Sequence, residues 1–245
     1  MADPFIQFID VKKSFKENHV MQGVNLSIYK GEITVVIGKS GCGKSVLLKH
    51  IIGLMDQDSG EILISGKALS KLNKKEKKAF KNKLSYMFQS NALFDSLNIF
   101  DNIALPLVEK SSFSKAVIKE KVNIRMSQLE IDGTEEKFPS ELSGGMQKRV
   151  ALARALVIDP DIVLFDEPTT GLDPVRKNNV HEMIKEYQKR FGFTAIVVSH
   201  EIPEIFDIAQ RIAMLEKGKI VFEGDKDMIM NSNNEAVRSF IIDKK

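Results

Sequence analysis

Gly38-Lys39-Ser40-Gly41-Cys42-Gly43-Lys44-Ser45 spaces glycines, a lysine and a hydroxyl in the pattern G-x-x-x-x-G-K-[ST], the spacing of a phosphate cradle. Backbone N–H groups can converge on phosphate oxygens only where side chains do not block the approach, which is the use of glycine here. The start of a following helix adds a favourable dipole. Lys44 is placed to set its ammonium between the outer phosphates, and Ser45 to ligate Mg²⁺ through its hydroxyl. The pattern points to a nucleotide and leaves the reaction open.

A second group lies far along the chain. Ile162-Val163-Leu164-Phe165-Asp166-Glu167 is an apolar run ending in two carboxylates. Asp166 suits a Mg²⁺ shell, and Glu167 suits orienting or deprotonating an attacking water. Alone, such a pair is as readily a solvated strand end; beside a phosphate loop the chemical reading prevails. Ser143-Gly144-Gly145 precedes apolar residues at Val150, Ala153 and Leu156 or Val157. Ser143 is therefore placed to cap a helix whose glycines expose free amides, a second anion site. Cys42 reads as a small filler of the loop rather than a redox centre.

These groups need a frame. Short β-rich runs at Phe5 to Val11, Val24 to Tyr29 and Ile33 to Ile37 precede the phosphate loop, and the last reads as a buried central strand. A helix is expected from Ser45 to Leu54 and a strand from Gly60 to Gly66. Further helices are expected over Ala116 to Leu129 and Met146 to Val157, which suggests a helical insertion. Strands at Ile162 to Phe165 and Ala195 to Ser199, separated by a helix over Val175 to Arg190, alternate as in a parallel α/β sheet. Ile212 to Leu215 and Ile220 to Phe222 flank Lys217-Gly218 as a closing hairpin. Seven lysines between Lys71 and Lys83 read as a solvated helix face, since no aromatics interleave for base stacking.

The 245 residues, 43% hydrophobic and 28% charged, suit one well-filled domain. A net charge of +3 is too slight to argue for a nucleic-acid partner. With Cys42 the only cysteine, no intrachain disulfide forms and a reducing compartment is expected. The N-terminus lacks a basic flank with an apolar core, and no stretch approaches the ~20 apolar residues that span a bilayer.

Leu142-Ser143-Gly144-Gly145-Met146, with the phosphate loop before it and Ile162 to Pro168 after it, resembles the signature of ABC ATPase subunits in order and spacing, over nearly the whole chain. The resemblance implies an α/β P-loop fold with a RecA-like parallel-sheet core, an N-terminal antiparallel β part and an inserted helical subdomain. One domain would cover 1–245, with core and β part at about 1–88 and 160–245 and the helical part at about 89–159. It implies ATP and Mg²⁺, with ATP held along Gly38, Lys39, Ser40, Gly41, Cys42, Gly43, Lys44, Ser45 and Val46. Phe15 would stack on adenine. Gln89 would sense the metal, the water and a membrane partner, and would join Ser45 and Asp166 at the metal. Asp173, in Thr169-Thr170-Gly171-Leu172-Asp173, matches the loop linking two sites, and His200 matches the switch histidine at the γ-phosphate. Catalysis would rest on Glu167, His200 and Lys44. In that family Ser143, Gly144 and Gly145 of one subunit close on ATP held by another, which implies a head-to-tail homodimer with two ATPs. Met146 stands where glutamine is commoner and Phe15 where tyrosine is usual; both are conservative.

Ser90-Asn91-Ala92-Leu93-Phe94-Asp95-Ser96-Leu97, Phe100-Asp101-Asn102 and Leu105-Pro106-Leu107, taken with Gly43 to His50, resemble the ATPase of Mla/Mce-type lipid transporters. Val46 stands where most ABC ATPases have threonine or serine, and Asn91 departs from an expected glycine. That resemblance implies an inner-membrane permease pair, an Mce-domain lipid-binding protein and phospholipid cargo moved to or from the outer membrane. The chain itself would sit peripherally on the cytoplasmic face of the inner membrane, with no nucleic acid. Some relatives also bind a STAS-domain protein through a C-terminal extension, and the end at Lys245 leaves that partner open. The competing readings are an importer ATPase for amino acids or other small solutes, which shares every catalytic motif; a non-transport ABC ATPase on DNA or ribosomes; and a small-molecule kinase, which has no need of a signature.

Overall fold

The computed structural model describes residues 3–87, 92–110 and 112–242. The chain opens with the hairpin β1 (Ile6–Phe15) and β2 (Asn18–Ile28), then runs through β3 (Ile33–Ile37) into α1 (Lys44–Ile51). β4 (Ser59–Ile64), β5 (Lys67–Ala68) and α2 (Lys74–Asn82) lead to β6 (Leu84–Met87). Three helices follow: α3 (Ile99–Lys110), α4 (Lys115–Gln128) and α5 (Gly144–Leu156). The chain then forms β7 (Ile162–Asp166), α6 (Pro174–Phe191), β8 (Thr194–Ser199), β9 (Arg211–Glu216) and β10 (Lys219–Gly224), ending in α7 (Lys226–Met230) and α8 (Glu235–Ile242).

Two sheets result. One is antiparallel in the order β2-β1-β4-β5; the other runs β10-β9-β3-β8-β7-β6, parallel from β9 to β6 with β10 antiparallel at its edge. The pleat of the second sheet sends alternate residues to opposite faces. Val35, Ile37, Val163, Phe165, Ala195 and Val197 join one core, shared with helices α3 to α6. Val36, Leu164, Ile196 and Val198 join the other, shared with Leu47 and Leu48 of α1 and with Ile6, Phe8 and Leu26 of the antiparallel sheet. Burial on both faces is why these strands read as predominantly apolar runs. Among the described residues no helix is long and apolar enough to cross a membrane.

The parallel register has a chemical consequence. Ile37 pairs with Ser199, Asp166 with Val198, and Met87 with Phe165, so motifs far apart in sequence leave the sheet at one edge. Such carboxyl ends are where open α/β sheets bind ligands. The expected central strands, the closing hairpin and the helix over Val175 to Arg190 are all present, with ends shifted by a few residues. β6 goes beyond the sequence reading, because Leu-Ser-Tyr-Met is short and directly follows a lysine-rich segment. α3 does too, since it carries Pro106 inside it. The lysine-rich segment folds as α2 with no residue fully buried, capped by Asn73 and Glu76 in a reciprocal box.

His181 on α6 is buried, and among the described residues neither ring nitrogen has a hydrogen-bond partner. Burial lowers its pKa below the ordinary value of 6.5, only partly opposed by Glu201 and Glu204. The unfolded chain therefore takes up protons that the folded chain refuses, and stability falls as pH drops below about 6.5. His181→Leu is expected to flatten the fall in melting temperature between pH 7.5 and 5.5. An unchanged slope contradicts this account.

Candidate functional site

The loop between β3 and α1 is shaped by what its glycines cannot carry. A Cβ on Gly38 would lie 2.4 Å from the Leu215 carbonyl oxygen and 2.7 Å from Cys42 Sγ. Gly43 has φ 109°, and a Cβ there would stand 2.9 Å from Val20 Cγ1. The loop is thus clamped between β9 and the β2 strand, and Gly43 precedes α1 with no side-chain cap. The first-turn amides of α1 remain available to an anion.

Lys44 is buried and lies over the loop. Its Nζ donates to the carbonyls of Gly38 (2.9 Å) and Lys39 (3.2 Å) and sits 3.6 Å from Glu167 Oε1. Ser45 Oγ donates to Asp166 Oδ1 at 3.1 Å, and the Tyr86 hydroxyl donates to Asp166 Oδ2 at 2.5 Å. Burial and the adjacent Asp166 push the Tyr86 hydroxyl well above the ordinary phenol range, so it stays a donor.

Glu167 sits at the centre. Its backbone is left-handed, with φ 49°, a conformation costing about 1 kcal/mol for a residue with a Cβ. A hydrogen bond from its amide to the Val198 carbonyl, 3.0 Å, holds that turn in place. Its Oε2 accepts from Thr170 Oγ1 at 3.1 Å and lies 3.1 Å from His200 Nδ1, close enough for an ion pair but off hydrogen-bond alignment. Strain held at such a position by its surroundings is common at reacting centres.

Beside His200, Glu201 ties three segments together. Its carboxylate accepts from Thr169 Oγ1 (2.7 Å) and pairs with Lys177 Nζ of α6 (2.7 Å), while its amide donates to Ser199 Oγ (3.0 Å). Burial pushes the Glu201 carboxyl up, but the Lys177 and Thr169 bonds outweigh it and leave it below its ordinary value.

Lys44, Ser45, Asp166, Glu167 and His200 thus come together within one chain. Ser143, Gly144 and Gly145 do not join them. They line a separate groove of about 700 Å³ with Thr170, Leu172 and Val180. Ser143 caps α5, its Oγ accepting from the Met146 amide. Lys148 of α5 donates to the Pro168 carbonyl at 2.8 Å, joining the signature helix to the segment after Glu167. Asp173 caps α6, accepting from the Arg176 amide. Phe15 ends β1, 42% exposed, with Lys13 Nζ 5.8 Å from its ring centroid. Val46 packs against the α1 core, and its carbonyl accepts from His50 Nδ1. Gln89 lies outside the described residues, as do Ser90 and Asn91.

The sequence reading did not single out Tyr86, Lys148, Lys177 or Glu201. Each acts through a partner on another element, and only the carboxylate after His200 leaves a trace in the sequence.

Among the described residues no three His, Cys, Asp or Glu side chains gather as a metal cage. The oxygen donors at hand, the Ser45 hydroxyl and the Asp166 carboxylate, fit a Mg²⁺ ion that takes its remaining oxygens from phosphate and water. Cys42 is half-buried, and burial raises its thiol pKa despite Lys44 nearby. Alkylation is therefore expected to be slower than for free cysteine at pH 7.5 and to accelerate with pH. Stoichiometric labelling is expected to block ATP binding by filling the space beside Gly38; full binding after labelling contradicts this.

A site of this kind at the edge of this sheet defines an ATP-binding cassette. The chain belongs to the ABC transporter family, whose cassettes are ATPases: the family model matches residues 21–170. It is 36% identical over 236 residues to the intermembrane phospholipid transport system ATP-binding protein MlaF of Haemophilus influenzae, covering 95% of this chain and 89% of that one. It is 37% identical over 236 residues to a probable ribonucleotide transport ATP-binding protein, mkl, of Mycobacterium tuberculosis, covering 96% of this chain but only 66% of that relative's length. Among solved structures, cbiO1 from Clostridium perfringens shares the fold at a TM-score of 0.84 and 24% identity, with both chains fully covered. The ATP-binding cassette MJ0796, described as a dimer in a post-hydrolysis state bound to ADP and Pi, matches at 0.76 and 30% identity over 90% of this chain and 98% of that one.

Proposed function

We propose that two copies of this chain hydrolyse ATP with Mg²⁺ at a shared interface and so drive phospholipid transport between the inner and outer membranes. They would work with a permease pair and an Mce-domain lipid-binding protein, from the cytoplasmic face of the inner membrane. The observation that carries the shared site is at Gly144 and Gly145. Both are helical without a left-handed φ, and a Cβ on either would meet nothing within 4 Å. Among the described residues nothing requires glycine at these positions, and the space before them is open to a second copy.

In this reading the α1 amides and Lys44 take the outer phosphates, and Ser45 and Asp166 would hold the metal. Mg²⁺, when bound, draws charge from the phosphate oxygens as the terminal bond breaks. Glu167 accepts the proton of the attacking water, steadied by Thr170, and His200 stands beside the γ-phosphate. Glu201, held by Thr169 and Lys177, fixes the turn that carries His200.

The lipid assignment is supported by the segment from Ala92 to Leu107 and by the relatives named for phospholipid transport, which this chain matches over 89% of the length of one and 82% of another. The mycobacterial relatives, named for ribonucleotide transport, favour a polar solute instead. Affinity purification from membranes in mild detergent separates the two. The expected result is a permease and an Mce-domain protein with bound phospholipid; a permease with a soluble solute-binding protein and no lipid overturns the lipid reading.

A further inference from the structure

β6 and β7 run parallel in register, with Tyr86 opposite Leu164 and Met87 opposite Phe165. Asp166 therefore stands two residues beyond the partner of Tyr86, on the same face of the sheet, a diagonal step within reach of an aromatic side chain. The hydroxyl closes that gap at 2.5 Å from Oδ2, while Ser45 Oγ holds Oδ1 from the α1 side at 3.1 Å. Each carboxylate oxygen is thus held by a donor on a different element, and rotation of the carboxylate breaks one bond or the other. A hydroxyl on an ionised oxygen is among the stronger hydrogen bonds a side chain makes.

We propose that Tyr86 is a positioning residue of the metal site, fixing the Asp166 carboxylate so that the oxygen it shares with Ser45 faces Mg²⁺. The proposal rests on the reading of Ser45 and Asp166 as the metal ligands. Carboxylate ligands are commonly oriented by such outer hydrogen bonds, and their loss costs on the order of ten- to a hundred-fold in metal affinity. The ring of Tyr86 also packs against the α1 core. A phenylalanine keeps that packing and removes only the donor.

The test uses Mn²⁺ as the probe and reads binding rather than turnover. In a Glu167→Gln background, ATP affinity is measured with Mn²⁺ and again in chelator, and the ratio reports how well the protein holds the metal. Tyr86→Phe is expected to lower that ratio about ten-fold, leaving ATP affinity in chelator unchanged. Tyr86→Met, which fills the same strand face without a donor, is expected to repeat the loss. Asp166→Asn sets the scale and is expected to lose more. An unchanged ratio in Tyr86→Phe beside a collapsed one in Asp166→Asn overturns the positioning role while keeping the metal site. Unchanged ratios in both overturn the ligand reading as well. An equal loss with and without metal marks Tyr86 as merely structural and also overturns the proposal.

Discussion

Glu167→Gln is expected to lower ATP turnover by about 10³-fold while leaving ATP affinity nearly intact. The amide retains the length of the side chain, its place between Thr170 and His200, and the hydrogen bond from the backbone to Val198. What it loses is the basic oxygen that takes the proton of the attacking water, and proton transfer by a positioned base contributes on the order of 10²–10⁴. The phosphate cradle does not depend on that oxygen, since Lys44 is held over the loop chiefly by the Gly38 and Lys39 carbonyls. Phosphate release and equilibrium ATP binding, measured on the same preparation, check the pair of claims. A fall of less than ten-fold removes Glu167 from the role of base.

Replacing both Gly144 and Gly145 by alanine is expected to move two properties in opposite directions. Alanine is preferred over glycine by roughly 0.5–1 kcal/mol per residue in a helix interior and by less in the first turn, where Gly144 and Gly145 lie, and among the described residues a Cβ on either meets nothing within 4 Å outside its own helix. The isolated variant should therefore melt higher than the wild type. If a second copy's ATP approaches these amides, the added methyl groups hold it off, and a displacement of ~1 Å at a reacting centre costs on the order of 10² in rate. A higher melting temperature with turnover reduced about a hundred-fold is the expected outcome, read by thermal denaturation and phosphate release. Unchanged turnover denies the signature a role in a shared site.

What the sequence disclosed follows from physics that is local in the chain. The phosphate loop is one continuous segment, and Ile33–Ile37, Ile162–Asp166 and Thr194–Ser199 are mostly apolar, with polar residues only at Thr34, Asp166, Thr194 and Ser199, because both faces of their sheet are covered. The sequence could not disclose contacts set by register between strands. β6 is four residues long, and its Tyr86 meets Asp166 only because β6 pairs with β7 at one particular offset. Glu201 shows in the sequence only as a carboxylate after His200, and its role emerges when Thr169 and Lys177 are brought to it from two other segments. The separation of Ser143 to Gly145 from Lys44 is equally a product of the fold, and in the proposed reading it is the feature that calls for a second chain.

The central claim is that two chains complete the ATP sites between them. Native mass measurement of Glu167→Gln with saturating ATP and Mg²⁺ tests it most directly. The expected species is a dimer carrying two nucleotides, which reverts to monomers when ATP is withdrawn. A monomer holding a single nucleotide at the same concentrations contradicts the shared site and favours a phosphoryl transferase that works alone.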